Sequence, residues 1–301
     1  MEAAMYSEHA VSRHDGTTTG GDARARLLAG SPVTERRLQL AGVSTAVLEG
    51  GDGPPVVVLH GQGGFAAQCM PLVAGIVATH HVVAPDLPGL GASEMHGRKP
   101  DPPTVMTWLA ELIDKACDAP PALVGMSLGG AIAARFAIDH GDLIARLVLI
   151  NAGGLGGRPT PGALLALIRH NAHPTERSLA RLRAYVMLDP ERARHNAGDR
   201  WDPLHTYMLE LARTPSVRTA NKRLLRELGI PPIPPHDLAR IAVPTTLIWA
   251  RHDRVMRLRY AEQASARYGW PLIVIDDAGH VVFAEQPDAT LRAVRSALGT
   301  G

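Results

Sequence analysis

A serine lies within a glycine-rich turn, Gly125-Met-Ser127-Leu-Gly129-Gly130. A short apolar run precedes the turn and an alanine-rich stretch follows it, which predicts a buried strand leading into a helix. In that context the G-x-S-x-G pattern is typical of a nucleophile elbow, a sharp turn that presents the serine hydroxyl at the edge of a sheet. The alternative is a turn whose serine only caps the helix. We predict that Ser127 is a nucleophile.

A serine hydroxyl is a poor nucleophile unless a base accepts its proton, so a histidine and an orienting carboxylate are expected later in the chain. Asp253 and His280 each follow an apolar run with strand character. The carboxyl ends of parallel strands meet at one edge of a sheet, so both side chains would lie near Ser127. Each could instead be an ordinary loop residue. Three further residues compete for the same two roles, namely His252, Asp276 and Asp277.

The chemistry of acyl transfer also requires hydrogen-bond donors for a developing oxyanion. The backbone N–H of Leu128 comes directly after the serine and is one candidate. The second is expected in the loop after the first buried strand, where we assign it to the N–H of Gln62.

The same loop supports a second interpretation. Residues 61–66 match the G-x-G-x-x-A pattern of dinucleotide-binding turns, and Asp86 ends the next predicted strand about twenty residues later. His60 before the first glycine, the continuation of Asp86 into Leu-Pro-Gly-Leu-Gly-Ala-Ser93, and the candidate triad all disfavour NAD binding.

The elements around these residues alternate between strand and helix. Short apolar runs predict strands buried on both faces, at 56–60, 81–86, 122–125, 147–150, 245–249 and 272–275. Helical patterns lie at 104–117, 128–140, 257–267 and 287–298. An exposed hairpin of residues 37–40 and 44–48, flanking Gly42, precedes them. This order predicts an α/β fold with a mostly parallel, doubly wound sheet.

One interval breaks the alternation. Residues 154–239 contain four helical patterns, at 164–168, 179–187, 204–211 and 217–228, and end in a proline-rich linker at 231–235. We interpret residues 154–239 as a helical lid inserted over the strand ends, where ligands bind in α/β sheets. Residues 31–153 and 240–301 then form the core, and residues 1–30, which lack apolar periodicity, are predicted to be a flexible tail.

Charge and composition exclude several classes. The 301 residues carry 31 Lys and Arg against 29 Asp and Glu, a net charge of +2, which gives no basis for nucleic-acid binding. The excess is local, because residues 154–239 hold about 13 basic and 8 acidic residues, and this favours anionic substrates. No signal peptide or apolar span is apparent, so we expect a cytoplasmic protein without membrane contact.

Histidines and cysteines give no further site. His170 and His173 have helical spacing but no partnering ligand, so we predict surface histidines and no metal site. Cys69 and Cys117 form no metal or redox motif and are expected to be ordinary thiols.

The chain from Val33 onward resembles the α/β-hydrolase fold family. The resemblance rests on His60-Gly61, the 86–93 segment, the 125–130 elbow, Asp253 and Gly279-His280, which occur in the family's order. It implies an α/β-hydrolase fold with a Ser-Asp-His triad and no cofactor. A serine at 127 differs from the carboxylate nucleophile of dehalogenases and epoxide hydrolases, and His60-Gly-Gln-Gly-Gly64 differs from the peptidase loop.

The insertion resembles the lid of meta-cleavage-product hydrolases, which cleave carbon–carbon bonds in vinylogous keto acids. The similar segments are 151–156, 184–190 and 199–202, and the resemblance implies that Arg200 and Trp201 contact substrate. Met126 stands where these enzymes usually have Asn, Val281 where they usually have Trp, and the first loop lacks their Gly-Pro turn. We expect Gly61, Met126 and Val281 to contact substrate too.

The leading prediction is a serine hydrolase of small or medium carboxylic esters that uses no metal or organic cofactor. Carbon–carbon bond hydrolysis by the same triad is the first alternative. A ligand-sensing, hydrolase-like receptor with little turnover is the second. The resemblance is compatible with a homodimer, and the expected partner is a small-molecule substrate.

Overall fold

The computed structural model describes residues 20–299, which form one eight-stranded sheet covered by helices. The spatial order of the strands is β1-β2-β4-β3-β5-β6-β7-β8. The β1–β2 and β2–β4 pairs are antiparallel and the other pairs are parallel, so the predicted doubly wound arrangement is confirmed. The strands are β1 (Thr34–Leu40), β2 (Val43–Gly50), β3 (Pro55–Leu59), β4 (His81–Pro85), β5 (Ala122–Met126), β6 (Arg146–Ile150), β7 (Thr245–Ala250) and β8 (Leu272–Ile275).

The helices follow the strands in the expected alternation. Four of them, α1 to α4, precede or flank the central strands, six belong to the insertion, and the three C-terminal ones close the sheet. They are α1 (Gly20–Leu28), α2 (Met70–Ile76), α3 (Pro102–Ala116), α4 (Leu128–Asp139), α5 (Pro161–Ala172), α6 (Glu176–Val186), α7 (Pro190–Ala197), α8 (Trp201–Arg213), α9 (Pro215–Leu224), α10 (Pro235–Leu238), α11 (Leu258–Tyr268), α12 (Val282–Glu285) and α13 (Pro287–Leu298). Within residues 20–299, none of these helices has both the length and the apolar character needed to cross a bilayer.

The hairpin forms as predicted, but only one of its strands is exposed. Ala41 and Gly42 both have positive φ, 47° and 77°, as a two-residue turn between right-twisted strands requires. The side chains of β1 are mostly exposed, whereas those of β2 are mostly buried. The prediction of two exposed strands is wrong for β2 because β2 also pairs with β4 and so lies inside the sheet.

The N-terminal segment differs from the prediction of a flexible tail over residues 1–30. Residues 20–28 form α1, with Ala23, Arg24 and Leu27 buried. Arg24 places Nη2 2.9 Å from Asp86 Oδ2, an ion-pair contact without the alignment of a hydrogen bond, and donates from Nε to Glu35 Oε2 at 2.7 Å. The tail prediction is wrong for this helix because these long-range contacts anchor it; residues 1–19 lie outside the described residues.

Six helices, α5 to α10, occupy the interval between β6 and β7. The four helical patterns correspond to α5, α6, α8 and α9, and a single π-turn, Leu225–Gly229, continues α9. The sequence pattern missed α7, because its eight residues include only apolar alanines besides the proline. We refer to residues 154–239 as the insertion.

Candidate active site

Ser127 occupies the point at which β5 turns into α4. Its φ is +51°, a conformation that costs energy for any residue with a side chain. Glycines on either side make room for the turn: a Cβ on Gly125 would lie 2.5 Å from the Gly129 oxygen, and one on Gly129 would lie 2.4 Å from the Leu59 oxygen. The glycines therefore permit a close crossing of backbones that lifts the serine out of the strand.

Ser127, His280 and Asp253 form one continuous set of hydrogen bonds. The Ser127 Oγ lies 2.9 Å from His280 Nε2, and His280 Nδ1 lies 2.8 Å from Asp253 Oδ2. The second carboxylate oxygen, Oδ1, accepts hydrogen bonds from the backbone N–H groups of Val255 and Met256, at 2.7 and 2.8 Å. A carboxylate can only accept, so Nδ1 carries the ring proton and Nε2 is left to accept the serine proton.

The competing residues lie outside this arrangement. His252 is exposed, and Asp276 is an exposed partner of Arg251. Asp277 is exposed as well, in a turn with positive φ. Asp253 and His280, by contrast, are each only 6% exposed, so their hydrogen bond is shielded from water.

Asn151 holds the backbone of the histidine loop and was missed by sequence reasoning. This buried residue, at the end of β6, donates from Nδ2 to the His280 carbonyl at 2.7 Å and accepts from the Ala250 N–H at 2.8 Å. It has a positive φ of 44°, which asparagine tolerates better than most residues. Asn151 thus ties the ends of β6 and β7 to the loop that carries His280.

Glu285 fastens the insertion to the same loop. It is 1% exposed, and its carboxylate accepts three backbone hydrogen bonds, from Leu188 and Asp189 in the insertion and from Gly279 next to His280, at 2.7–2.8 Å. Burial raises the pKa of Glu285, and the three N–H donors act against that shift. The only sequence signal was a glutamate five residues after the histidine, which carries no meaning without the fold.

The two predicted oxyanion donors lie at the same end of the sheet. Gln62 and Leu128 both line the cavity that contains Ser127. The N–H of Leu128 is the first of α4 and so has no partner within the helix. A residue of the insertion holds the Gln62 loop in place: the neighbouring Gly63 N–H donates to Asn221 Oδ1 at 3.0 Å.

His60 and Asp86 are fully buried and hydrogen-bond to backbone groups of the loops around them. His60 Nε2 accepts from the Leu87 N–H at 3.0 Å, so Nδ1 donates to the Gly61 carbonyl at 2.8 Å. Burial lowers the pKa of His60, which favours the neutral ring that this pattern needs. Asp86 accepts from the Ala66 and Ala92 N–H groups, and both of its oxygens are thereby engaged.

A cavity of about 400 Å³ opens above Ser127. Core, insertion and Leu27 of α1 all contribute to its mostly apolar wall. Four of the five residues expected to contact substrate line it, namely Met126, Arg200, Trp201 and Val281. Gly61 does not line it. A Cβ at Gly61 would lie 2.8 Å from the Met126 Cε and 3.4 Å from the Ser127 Cβ, so this glycine packs closely against the elbow.

The histidine and cysteine predictions have mixed outcomes. His173 is exposed as predicted, but His170 is buried and lines the cavity, because α5 turns that face inward. Within residues 20–299 no three potential ligands cluster as a metal site would require. Burial raises the pKa of the Cys69 and Cys117 thiols to about 12, so both are protonated at neutral pH.

Comparisons with known proteins agree with this architecture. A sequence model described as the alpha/beta hydrolase family matches residues 56–293. The chain is 29% identical over 248 residues to a magnesium-chelatase 30 kDa subunit of Rhodobacter capsulatus, covering 77% of this chain and 82% of that one. It is 26% identical over 283 residues to the 2-hydroxy-6-oxo-6-(2'-aminophenyl)hexa-2,4-dienoic acid hydrolase of Metapseudomonas resinovorans, covering 89% and 92%. The crystal structure of a Bacillus subtilis carboxylesterase superposes with a TM-score of 0.79 at 20% identity, covering 94% and 98%.

Proposed function

The chain belongs to the alpha/beta hydrolase family, and from that premise we propose that it hydrolyses small or medium carboxylic esters with Ser127 as the nucleophile. The observation that carries the proposal is the unbroken hydrogen-bonded series from Ser127 Oγ through His280 to Asp253. The Asp253 carboxylate, held by two backbone N–H groups, accepts from His280 Nδ1, so His280 Nε2 is ready to accept a proton.

The proposed reaction has two halves. His280 Nε2 accepts the hydroxyl proton as Ser127 Oγ bonds to the ester carbonyl, and the Gln62 and Leu128 N–H groups stabilise the oxyanion. His280 then gives the proton to the leaving alcohol, which leaves an acyl group on Ser127. In the second half His280 deprotonates water, which attacks the acyl carbon; the acid departs and the proton returns to Ser127. Every step uses protein groups and water.

The insertion is proposed to act as a lid that shapes the substrate. It supplies most of the apolar wall of the cavity. Asn221 hydrogen-bonds to the Gln62 loop, and the Leu188 and Asp189 N–H groups donate to Glu285, which also binds the loop that carries His280. An apolar cavity of this size suits an acyl or alkoxy group of medium length.

A substrate panel tests the proposal. We expect the wild-type protein to hydrolyse p-nitrophenyl esters, with kcat/KM rising from acetate to butyrate and hexanoate as more apolar surface is buried. The coloured dienol of a meta-cleavage product, assayed in parallel, serves as the comparison. Turnover of the dienol without turnover of any ester would replace the proposed activity with the second candidate.

That second candidate is carbon–carbon bond hydrolysis, and Arg200 is the observation that favours it. Arg200 lines the cavity, and within residues 20–299 its guanidinium forms no ion pair or hydrogen bond. Burial lowers its pKa, as expected of a guanidinium held without a counter-ion. The relative from Metapseudomonas resinovorans is named as a hydrolase of a dienoic acid.

Replacing Arg200 by methionine is expected to raise KM for a carboxylated substrate about 10-fold or more, and KM for a neutral ester less than twofold, because a guanidinium fork pairs with a carboxylate. Steady-state kinetics on both substrates measure this. Raising the ionic strength should weaken the same preference. Equal effects on both substrates would show that Arg200 only fills space.

A binding role without turnover is the remaining alternative. One relative is named as a subunit of magnesium chelatase, which is not an ester hydrolase by name. Ligand-induced stabilisation in the absence of any turnover across the panel would favour this alternative.

A further inference from the structure

Arg183 is a buried cation in the wall of the cavity. It projects from α6, is 6% exposed, and lines the same cavity as Ser127. It stands three residues before Val186, whose carbonyl accepts the His280 N–H at 2.7 Å. Three helical residues advance the chain by about 4.5 Å, so the base of Arg183 lies within one turn of the histidine loop.

The partners of Arg183 are neutral. Its guanidinium carbon lies 4.4 Å from the centre of the Trp201 ring, Nη1 lies 2.5 Å from His205 Nδ1, and Nη2 lies 3.6 Å from the Met208 sulfur. A guanidinium can only donate, so His205 Nδ1 accepts and His205 Nε2 donates to Glu176. The nearest carboxylate is therefore separated from Arg183 by an imidazole ring.

The cavity itself offers no counter-ion. Its lining within the described chain includes Arg183, Arg200 and Arg218 and no aspartate or glutamate. His170 also lines the cavity. Burial and the charge of Arg183 lower the pKa of His170, so it is neutral at pH 7. Glu176 favours the charge on Arg183 only across the His205 ring, and burial still lowers the pKa of Arg183 to about 10. A cation enclosed by apolar groups is costly unless an anion pairs with it directly, and a ligand carboxylate in the cavity would supply that direct partner.

We infer that Arg183 anchors a carboxylate subsite, so that the substrates of the proposed esterase are amphipathic esters with one free carboxylate, such as monoesters of dicarboxylic acids. The inference rests on the proposed function and adds the class of substrate. The guanidinium lies over the Trp201 ring and uses one N–H of Nη1 for His205 and one of Nη2 for Met208, which leaves its other N–H groups to donate to a carboxylate. The apolar wall would cover the chain between carboxylate and ester.

Matched esters test the subsite. The substrates are monomethyl esters of the dicarboxylic acids from succinate to suberate, and methyl esters of the alkanoic acids of equal chain length, assayed by acid release. We expect wild type to prefer the half-esters, and Arg183→Met to lower their kcat/KM about 10- to 100-fold while changing that of the neutral esters less than threefold. Arg183→Lys should restore part of the loss.

Arg181→Met is the control, because Arg181 is exposed on the same helix and its loss changes the net charge equally. It should change neither preference more than twofold. Equal losses on both ester series after Arg183→Met, or no wild-type preference for half-esters, would overturn the subsite.

A binding measurement separates failure of the subsite from failure of the esterase proposal. In Ser127→Ala protein, monomethyl suberate should raise Tm, and Arg183→Met should remove that rise. If no ester is hydrolysed but the stabilisation depends on Arg183, the esterase proposal fails and the carboxylate subsite remains. If stabilisation is absent or independent of Arg183, the subsite is wrong whatever the turnover.

Discussion

Replacing Ser127 by alanine is expected to lower kcat for p-nitrophenyl butyrate by about 10⁴- to 10⁶-fold, the largest effect of any single substitution in this chain. The alanine variant has no oxygen to bond the acyl carbon, and His280 loses the proton it would accept at 2.9 Å. What would remain is the stabilisation that the proposed oxyanion donors and the cavity give to attack by water. Single-turnover and steady-state measurements of p-nitrophenol release determine the loss.

Two observations make this result specific. The variant should unfold at a temperature close to that of wild type, because the hydroxyl makes no structural hydrogen bond beyond His280 and the strained φ of +51° suits alanine no worse than serine. Ser296→Ala, an exposed serine on α13, should keep full activity. Residual activity above about one per cent in a preparation free of wild-type protein would contradict a serine nucleophile.

Replacing Arg24 by methionine is expected to destabilise the fold by about 3–5 kcal/mol, the typical cost of removing one partner from a buried ion pair. The Arg24 side chain is 9% exposed and that of Asp86 is fully buried. Burial disfavours the charge on Arg24, but Asp86, Tyr207 and Glu35 outweigh that effect and raise its pKa. Because Arg24 also donates to the Tyr207 hydroxyl at 3.3 Å, its loss would loosen α1 from both core and insertion.

Thermal and urea unfolding measure the change, and Arg26→Met is the matched control. Arg26 is exposed on the same helix, so its replacement should cost less than about 0.5 kcal/mol. A double-mutant cycle with Asp86→Asn isolates the pair, because the loss at Arg24 should be much smaller once Asp86 is uncharged. Equal losses at Arg24 and Arg26, or an Arg24 loss independent of residue 86, would show that the ion pair is not the cause.

The parts of the site that sequence could predict are those encoded locally or by strand order. The elbow is a continuous segment in which two glycines permit a backbone crossing, so its pattern is readable before any fold is known. Asp253 and His280 were found because each follows an apolar strand, and parallel strands bring their carboxyl ends to one edge. The alternation of apolar strands and helices likewise predicted the parallel sheet, and the interval without a strand predicted the position of the insertion.

The parts that sequence could not predict depend on contacts between distant segments. Asn151 and Glu285 hydrogen-bond to backbone groups of residues about 100 positions away. Every residue has these backbone groups, so the residue types at the partner positions do not reveal the contact. The helix α1 lacks a clear apolar period and is held by Arg24, whose partner Asp86 stands 62 positions further along the chain. Arg183 looks like any surface arginine of an amphipathic helix until Trp201 and the cavity are placed beside it.

The most direct test of the esterase proposal is the mass of the intact protein after reaction with a fluorophosphonate, followed by peptide mapping. We expect one phosphonate adduct per chain, on Ser127, with ester hydrolysis falling in proportion to labelling, because only a serine activated by a neighbouring base reacts in this way. Asp253→Asn should slow labelling strongly by disturbing the tautomer of His280. An adduct at another residue, or full ester turnover by fully labelled protein, would contradict the assignment of Ser127 as the nucleophile.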